Sequence, residues 1–553
     1  MSYLNILLNI LNNFPQPQSD YIRDELLAEN FLLVLKKVDE LKSQTPILGN
    51  RSKLDYRQAK KAKIAEEMSS LEDLIPELVC YLEGMTIWGH SKTQVNVIPP
   101  ASTASIIATI LTALYNPNLA WDKYSHKVAE AEIETIAIIS GIIGYQPDKA
   151  AGFSTFGGTG TVLYAMKVGL EKAIPDAIKH GIRNEDKPVI LASDCSHYCH
   201  DNVAGWLGLG TDSIIKIPTN NHNEININIL SEQAHKALSE GKKIVGIICT
   251  MGTTDAFGVD DLEQIVKLRD ELVSEFNLPY KPHIHADAVI GWIWSIFNDY
   301  PWEENPLNFH RRTIHSLATN EQRIHHLGLA DSVGIDFHKT GFTPYTASFI
   351  LFKNQEDINL LKRNKDDIDY LFDSGEYYPG LYTLETSRSG AGVLAALANL
   401  KLFGKKGFQT IIGHLVEMTE LLRDNLGGHP YTTVLNEYNF GTVTLFRVYP
   451  EERVDHENIM ELEFTNPAYR EQLKQHNKYN RAIYEYVDKE AMAGKGVSIS
   501  WTSCYRHTNY GNGETEEKVC AMKSYILSPF VNQKCVEELV NKVLEARKQI
   551  TGY

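Results

Sequence analysis

Four short segments carry side chains able to do chemistry, and they follow one another along the middle of the chain. The first, Gly152 to Thr161, reads GFSTFGGTGT and runs directly into VLYAMKVGLEKA. A glycine-rich turn opening a helix presents free backbone N–H groups and the positive helix end, a setting that attracts phosphate. Thr159 and Thr161 add hydroxyl donors. The same turn equally suits a tight bend that needs glycine only for its backbone angles. The second segment, Ser193 to Tyr198, places His197 just after an apolar run. That ring either stacks on a flat ligand or is a hydrogen-bonded structural histidine. The third, PHIHAD, ends on Asp287 and is followed by Ala288. A carboxylate there either caps the next helix or holds a ring nitrogen protonated through a charge-assisted hydrogen bond. The fourth, Asp336 to Thr340, reads DFHKT and sets Lys339 between apolar runs. Lysine is rarely buried without a partner; here it either snorkels to the surface or serves as an amine nucleophile that forms Schiff bases.

In combination and order, these segments resemble the group II pyridoxal-dependent decarboxylases. GGTGT, SHY, HADA and FHKT match that family's phosphate loop, stacking histidine, pyridinium-binding aspartate and Schiff-base lysine. TSRSGAG (386–392), GKKGF (404–408), Gly89-His90 and the PAST run at 100–103 look like further parts of its pattern, so that the resemblance covers residues 85 to 550. It implies an α/β fold of the aspartate-aminotransferase-like type (fold type I), with a mainly parallel sheet. It also implies pyridoxal 5′-phosphate (PLP) as cofactor, no metal, and a homodimer with active sites at the interface. The reaction implied is decarboxylation of an L-amino acid to its amine and CO₂. Lys339, His197 and Asp287 would be catalytic. Gly157, Gly158, Thr159, Thr253, Ala288, His338, Ser387 and Arg388 would join them around the cofactor, with His90 and Gln94 on the substrate side. Relatives protonate the product carbon with a tyrosine on a loop after the lysine. Counting back from Arg388, the matching stretch is Ser374 to Gly380, and Tyr378, with Tyr377 beside it, is the expected donor; two ordinary loop tyrosines fit the stretch equally well. Val162 stands where relatives often carry Asn, and Asp287 to Trp292 (DAVIGW) departs from the commoner run after the aspartate. TGFTPY after the lysine is most like the branch containing glutamate, tyrosine and aspartate decarboxylases. These changes flank the chemical residues, so they bear on the substrate and leave the cofactor unaffected.

The segment Trp88 to Asn96 (WGHSKTQVN) is the candidate side-chain pocket. An acidic substrate would need a fixed cation for its second carboxylate, because an unpaired buried charge is costly, and Lys92 is the lone candidate. A neutral amino acid needs only apolar walls, which Trp88 and Trp292 would supply. A neutral, bulky L-amino acid is therefore expected ahead of aspartate or glutamate. An aldehyde-forming oxidase or a C–C lyase would use the same four segments. Intact Lys339 and Asp287 argue against an inactive homologue, and GGTGT lacks the GxGxxG spacing of a dinucleotide site.

The elements that must position these residues fall into three regions. Residues 1–98 read as helical and contact a partner subunit; Leu4, Leu7, Leu8 and Leu11 fall at helical spacing opposite Asn rather than Lys or Arg. Residues 99–404 alternate helical stretches with the runs PVILAS, KIVGIICT, PHIHAD and SFILFK, the pattern of buried strands in a largely parallel sheet that places ligands beyond its carboxyl ends. Residues 405–553 read as a smaller α+β domain, with FGTVTLFRVYP, VSISWTS and MKSYILSP as antiparallel strands and VNQKCVEELVNKVLEARKQI as a closing helix. The N-terminus lacks the basic start and small-residue cleavage site of a signal peptide, and no apolar run is long enough to span a bilayer, so a cytoplasmic protein is expected. A net charge of −16 argues against a nucleic-acid partner. Seven scattered cysteines without a CxxC pair read as reduced thiols.

Overall fold

The computed structural model describes residues 3–18, 21–363, 375–450, 456–511 and 515–550. Its strands, in chain order, are β1 (Thr93–Gln94), β2 (Ala151–Thr155), β3 (Pro188–Ser193), β4 (Ile214–Ile217), β5 (Lys243–Thr250), β6 (His283–Asp287), β7 (Ser332–Asp336), β8 (Ser348–Phe352), β9 (Thr432–Val434), β10 (Val443–Val448), β11 (Ser498–His507) and β12 (Lys518–Tyr525). Seven of them form one sheet in the order β2-β8-β7-β6-β5-β3-β4. Strands β3 to β7 pair in parallel, and β8 runs antiparallel to both neighbours, β2 and β7. The four apolar runs identified in the sequence are β3, β5, β6 and β8. Strands β6, β7 and β8 are buried at every position, as expected when helices cover both faces of a sheet.

The helix Gly158–Ala173 lies across the centre of this sheet, against β5 to β8. Close approach is possible because Gly169 carries no side chain: a Cβ there would stand 2.5 Å from the Val245 carbonyl oxygen. The helix therefore begins at the carboxyl ends of the parallel strands, on the side where the sequence places its chemistry.

The second sheet has the order β1-β11-β12-β10-β9, antiparallel except where β1 joins β11. Strand β1 comes from the N-terminal segment, so a division at residue 98 leaves part of the C-terminal sheet upstream of it. Two residues are too short for any periodicity to reveal. At the other expected boundary, the helix Ala391–Gly427 runs through residue 404 and bends there, where Gly404 adopts φ 53° and ψ −171°. The closing helix Gln533–Gln549 is capped by Asn532, whose side chain accepts from the Cys535 N–H.

Polar contacts tie the second sheet to the first. Asp255, in the loop after β5, receives Lys523 Nζ at 2.7 Å and Thr502 Oγ1 at 2.9 Å, and Arg506 Nη2 reaches Asn223 Oδ1 at 2.8 Å. The N-terminal helix Tyr3–Leu11 buries none of its residues. Together with Tyr21–Glu40 and Thr103–Tyr115 it leaves Leu4, Leu8, Phe31, Leu32, Ile107 and Leu111 exposed. Among the described residues, no helix is long and apolar enough to cross a membrane.

Candidate active site

The four chemical segments meet at the carboxyl ends of the strands. Asp287 is the last residue of β6, and Asp336, the last residue of β7, leads into the single helical turn Phe337–Thr340 that carries Lys339. Neighbouring β6 and β7 pair Asp287 with Gly334. Asp287 is buried. Its Oδ2 accepts from His200 Nε2 at 3.0 Å, while its Oδ1 has no partner among the described residues. Burial alone would raise the Asp287 pKa, but the hydrogen bond and charge of His200, helped by His285 and Lys339, hold the carboxyl well below the usual carboxylate range.

Lys339 Nζ lies 3.0 Å from Asp336 Oδ2. Burial works against the ammonium, yet the carboxylates of Asp336 and Asp287 outweigh it and raise the amine's pKa. Asp336 also accepts from Ser348 Oγ at 2.5 Å and stands 3.4 Å from His338 Nε2. The His338 ring packs on Tyr345, centroids 4.1 Å apart, and burial lowers its pKa. His197 is half-buried. Its ring stacks on Tyr198 at 4.3 Å, its Nδ1 accepts from the Cys199 N–H at 3.2 Å, and burial keeps its pKa low despite the nearby Asp287.

The glycine turn has the form of an anion site. Gly157 precedes the helix with φ 132°, which side-chain-bearing residues rarely adopt, and offers no side-chain cap. A Cβ on Gly158 would stand 3.0 Å from Asp336 Oδ2 and 3.1 Å from Val289. The Gly160 N–H bonds the Gly157 carbonyl at 2.8 Å, and no side chain caps the rest of the first turn. Thr159 hydrogen-bonds the Cys199 thiol, which burial and Asp287 push up to about 12. Thr161 is not a free donor, because its hydroxyl bonds the Gly158 carbonyl at 2.7 Å.

Other expected residues stand in different surroundings. Thr253 Oγ1 accepts from the Gly258 N–H at 2.8 Å within the turn after β5. Ala288 is fully buried, its N–H bonded to the Ala286 and Gly334 carbonyls. Ser387 Oγ accepts from Asn118 Nδ2 at 3.2 Å. Arg388, expected at the cofactor, is committed elsewhere. Its terminal nitrogens bond both Glu132 carboxylate oxygens at 2.7 and 2.9 Å, Ser154 through its carbonyl and hydroxyl, and the Leu119 carbonyl. Tyr377 joins the same network through a 2.9 Å bond to Glu132 Oε2. Tyr378 packs on Ala120, Trp121 and Leu381, and its hydroxyl donates to the Gly375 carbonyl; Ser374, at the head of that stretch, lies outside the described residues.

On the substrate side, His90 is half-buried, and Lys92 is no free cation: its Nζ is 2.6 Å from Glu538 Oε1. Gln94 is buried, with Oε1 accepting from Ser524 Oγ at 2.6 Å and Nε2 without a partner among the described residues. Trp292 is a core residue packed on Phe337 at 4.6 Å rather than a pocket wall. Sequence reasoning missed His200, Asp336 and Glu132. His200 had one available signal, its place three residues after His197, just inside a helix starting at Cys199.

PLP would bring a ring nitrogen, a phosphate and an aldehyde carbon. The residues fit each in chemical type: the orphaned buried Oδ1 of Asp287, the uncapped glycine turn, and the half-buried amine of Lys339. Among the described residues, no group of three or more His, Cys, Asp or Glu side chains is arranged to hold a metal ion.

Comparison with known proteins agrees. The family model described as the pyridoxal-dependent decarboxylase conserved domain matches residues 54–295 and 315–448. An L-tyrosine decarboxylase of Enterococcus faecalis is 26% identical over 387 residues, covering 62% of this chain and 58% of that protein. An L-2,4-diaminobutyrate decarboxylase of Acinetobacter baumannii is 22% identical over 378 residues, 66% of this chain and 68% of that one. The chain thus matches between 37% and 68% of the length of such curated relatives. The solved structure of mouse CSAD aligns over 96% of this chain and 100% of its own at TM-score 0.75 with 18% identity. That of Oryza sativa TDC with PLP and tryptamine covers 98% and 100% at TM-score 0.72 and 16% identity. These structures share the fold, which is fold type I.

The Arg388–Glu132 network gives a stability prediction. Both side chains are buried, and each shifts the other's pKa towards its charged form. Arg388→Met leaves Glu132 buried without its cation and should cost about 3–5 kcal/mol in urea unfolding. Adding Glu132→Gln should recover most of that loss. A single variant within about 0.5 kcal/mol of the wild type, the range of surface substitutions, would show that the pair is not structural.

Proposed function

The chain belongs to the pyridoxal-dependent decarboxylases, and from that membership we propose that it removes the α-carboxylate of an L-amino acid as CO₂ and releases the amine. The observation that carries this reading is the buried Asp287 Oδ1, which has no partner among the described residues, in the field of the half-buried Lys339. Leaving a buried polar atom unpaired is costly, and a protonated ring nitrogen would satisfy it. Bound PLP supplies the sink for the electron pair that CO₂ leaves behind.

The chain's own residues do the rest. Lys339 Nζ is the amine that holds the cofactor. Before it acts as a nucleophile it must shed a proton, and Asp336 Oδ2, at 3.0 Å, is positioned to accept it. Asp287 Oδ1 keeps the ring nitrogen protonated, and a carboxyl held so far towards its anionic form suits that role. His197 flanks the ring. The glycine turn from Gly157 to Thr159 holds the phosphate through N–H groups at the start of a 16-residue helix. Tyr378, with Tyr377 beside it, is the proton donor of this reading, delivered across a subunit interface; within this chain both hydroxyls are engaged, Tyr377 by Glu132 and Tyr378 by the Gly375 carbonyl. The exposed apolar residues of the N-terminal helices and of Thr103–Tyr115 support a homodimer.

The substrate is a neutral, bulky L-amino acid. Pairing of Lys92 with Glu538 supports this, since it removes the one cation identified for a second carboxylate. Gln94 Nε2, a buried donor without a partner among the described residues, supports its place on the substrate side.

Three outcomes check this reading. Incubated with PLP and each standard amino acid in turn, the protein should release CO₂ and amine from aromatic or bulky aliphatic ones. Turnover confined to aspartate or glutamate contradicts the substrate assignment, and aldehyde with peroxide in place of amine contradicts the reaction. Asp287→Asn should still take up PLP but lose on the order of 10²–10³ in kcat, the cost of losing one preorganised electrostatic group; near-wild-type turnover would make the aspartate structural. Sedimentation at micromolar concentration should give a dimer, and a stable, active monomer would contradict the shared active site.

A further inference from the structure

We propose that His200 is the positioning residue for Asp287: it holds Oδ2 so that Oδ1 alone is presented to the cofactor's ring nitrogen. This inference rests on the reading of Asp287 as the residue that binds that nitrogen.

His200 is fully buried near the start of the helix Cys199–Trp206, and both of its ring nitrogens are engaged. Nε2 is 3.0 Å from Asp287 Oδ2, and Nδ1 is 3.1 Å from Ser196 Oγ. Ser196 in turn donates its hydroxyl to the Ser193 carbonyl at 2.6 Å. A serine hydroxyl carries one hydrogen. With that hydrogen given to a carbonyl, which can only accept, Ser196 Oγ can only accept from His200 Nδ1. The carboxylate can only accept from Nε2. Both ring nitrogens are thus held, Nδ1 by Ser196 Oγ and Nε2 by the Asp287 carboxylate.

This chain of three hydrogen bonds anchors the Asp287 side chain to the backbone at the end of β3, two strands away from β6. The carboxylate cannot rotate about its own axis without breaking the bond to Nε2, and so its second oxygen has a fixed direction. The histidines of β6 act on Asp287 through charge at most and not as its anchor, because His283 Nε2 and His285 Nδ1 both turn to Ser332 Oγ, at 2.8 and 2.9 Å. One short segment, Ser193 to His200, thus carries the ring that flanks the cofactor, His197, together with the anchor for the carboxylate at its nitrogen.

The test compares His200→Leu with His200→Gln, whose amide N–H still reaches the same oxygen. PLP is titrated into each apoprotein and followed by its absorbance, kcat and KM are measured with the amino acid that the wild type turns over, and each apoprotein is melted. His200→Leu should weaken PLP binding and lower kcat by roughly 10–100-fold, as for side chains that orient a ligand-holding residue. KM should stay within about threefold, since substrate contacts remain and the interaction lost acts on the reaction step. His200→Gln should recover most of both losses, with the two apoproteins melting together. Wild-type PLP affinity and kcat in His200→Leu would overturn the proposal. So would equal losses in both variants accompanied by a lowered melting temperature, which would mark His200 as merely structural. A proposal that fails in this way leaves the cofactor reading standing, provided that the wild-type apoprotein binds PLP. A wild type that binds none removes both.

Discussion

Two buried carboxylates at the ends of adjacent strands set the terms for the rest of the structure. Asp287 and Asp336 close β6 and β7 with almost no exposure. A carboxylate in such a place persists as an anion only if cations and donors surround it. His200 serves Asp287; Lys339, Ser348 and His338 serve Asp336. One oxygen of Asp287 is left over. The site is thus a nearly closed set of hydrogen bonds with one acceptor open and one amine at hand, and PLP offers a partner for each.

The scaffold keeps that set in register from several directions. The helix Gly158–Ala173 lies close over the sheet because Gly169 allows it, and this brings the turn at Gly157 and Gly158 against Asp336. Strand β2, which feeds the turn, is fixed at Ser154 by Glu132 and Arg388. Arg388 thereby acts on the phosphate turn at one remove, as a buttress to the strand before it. On the other flank, Asp255 joins the loop after β5 to Lys523 and Thr502 of the second sheet.

Much of this was legible in the sequence, for identifiable reasons. Strands β3, β5, β6 and β8 are apolar runs because both of their faces are covered. Lys339 and Asp287 stood out because charged residues at the ends of such runs need a use. Strands β2 and β7 were passed over, since AGFST and SVGID mix Gly, Ser and Thr with few apolar residues. Arg388 was expected at the cofactor from its motif alone; its ion-pair partner within the chain, Glu132, lies 256 residues away, and no local pattern links the two. Lys92 looked like a free cation for the same reason, its partner Glu538 being 446 residues distant. His200 was hidden behind the more conspicuous His197. Local spacing displays the candidate residues, whereas partners such as Glu132 for Arg388 and Glu538 for Lys92 come from distant parts of the chain.

The chemistry of the site turns on whether the cofactor is bound through Lys339. The direct measurement is borohydride reduction of the protein loaded with PLP, followed by proteolysis and mass-spectrometric mapping of the pyridoxyl group. Attachment through the amine beside Asp336 predicts one labelled peptide carrying the modification on Lys339, and loss of that label in Lys339→Ala. A label on another lysine, or reduction that leaves every peptide unmodified, would contradict it.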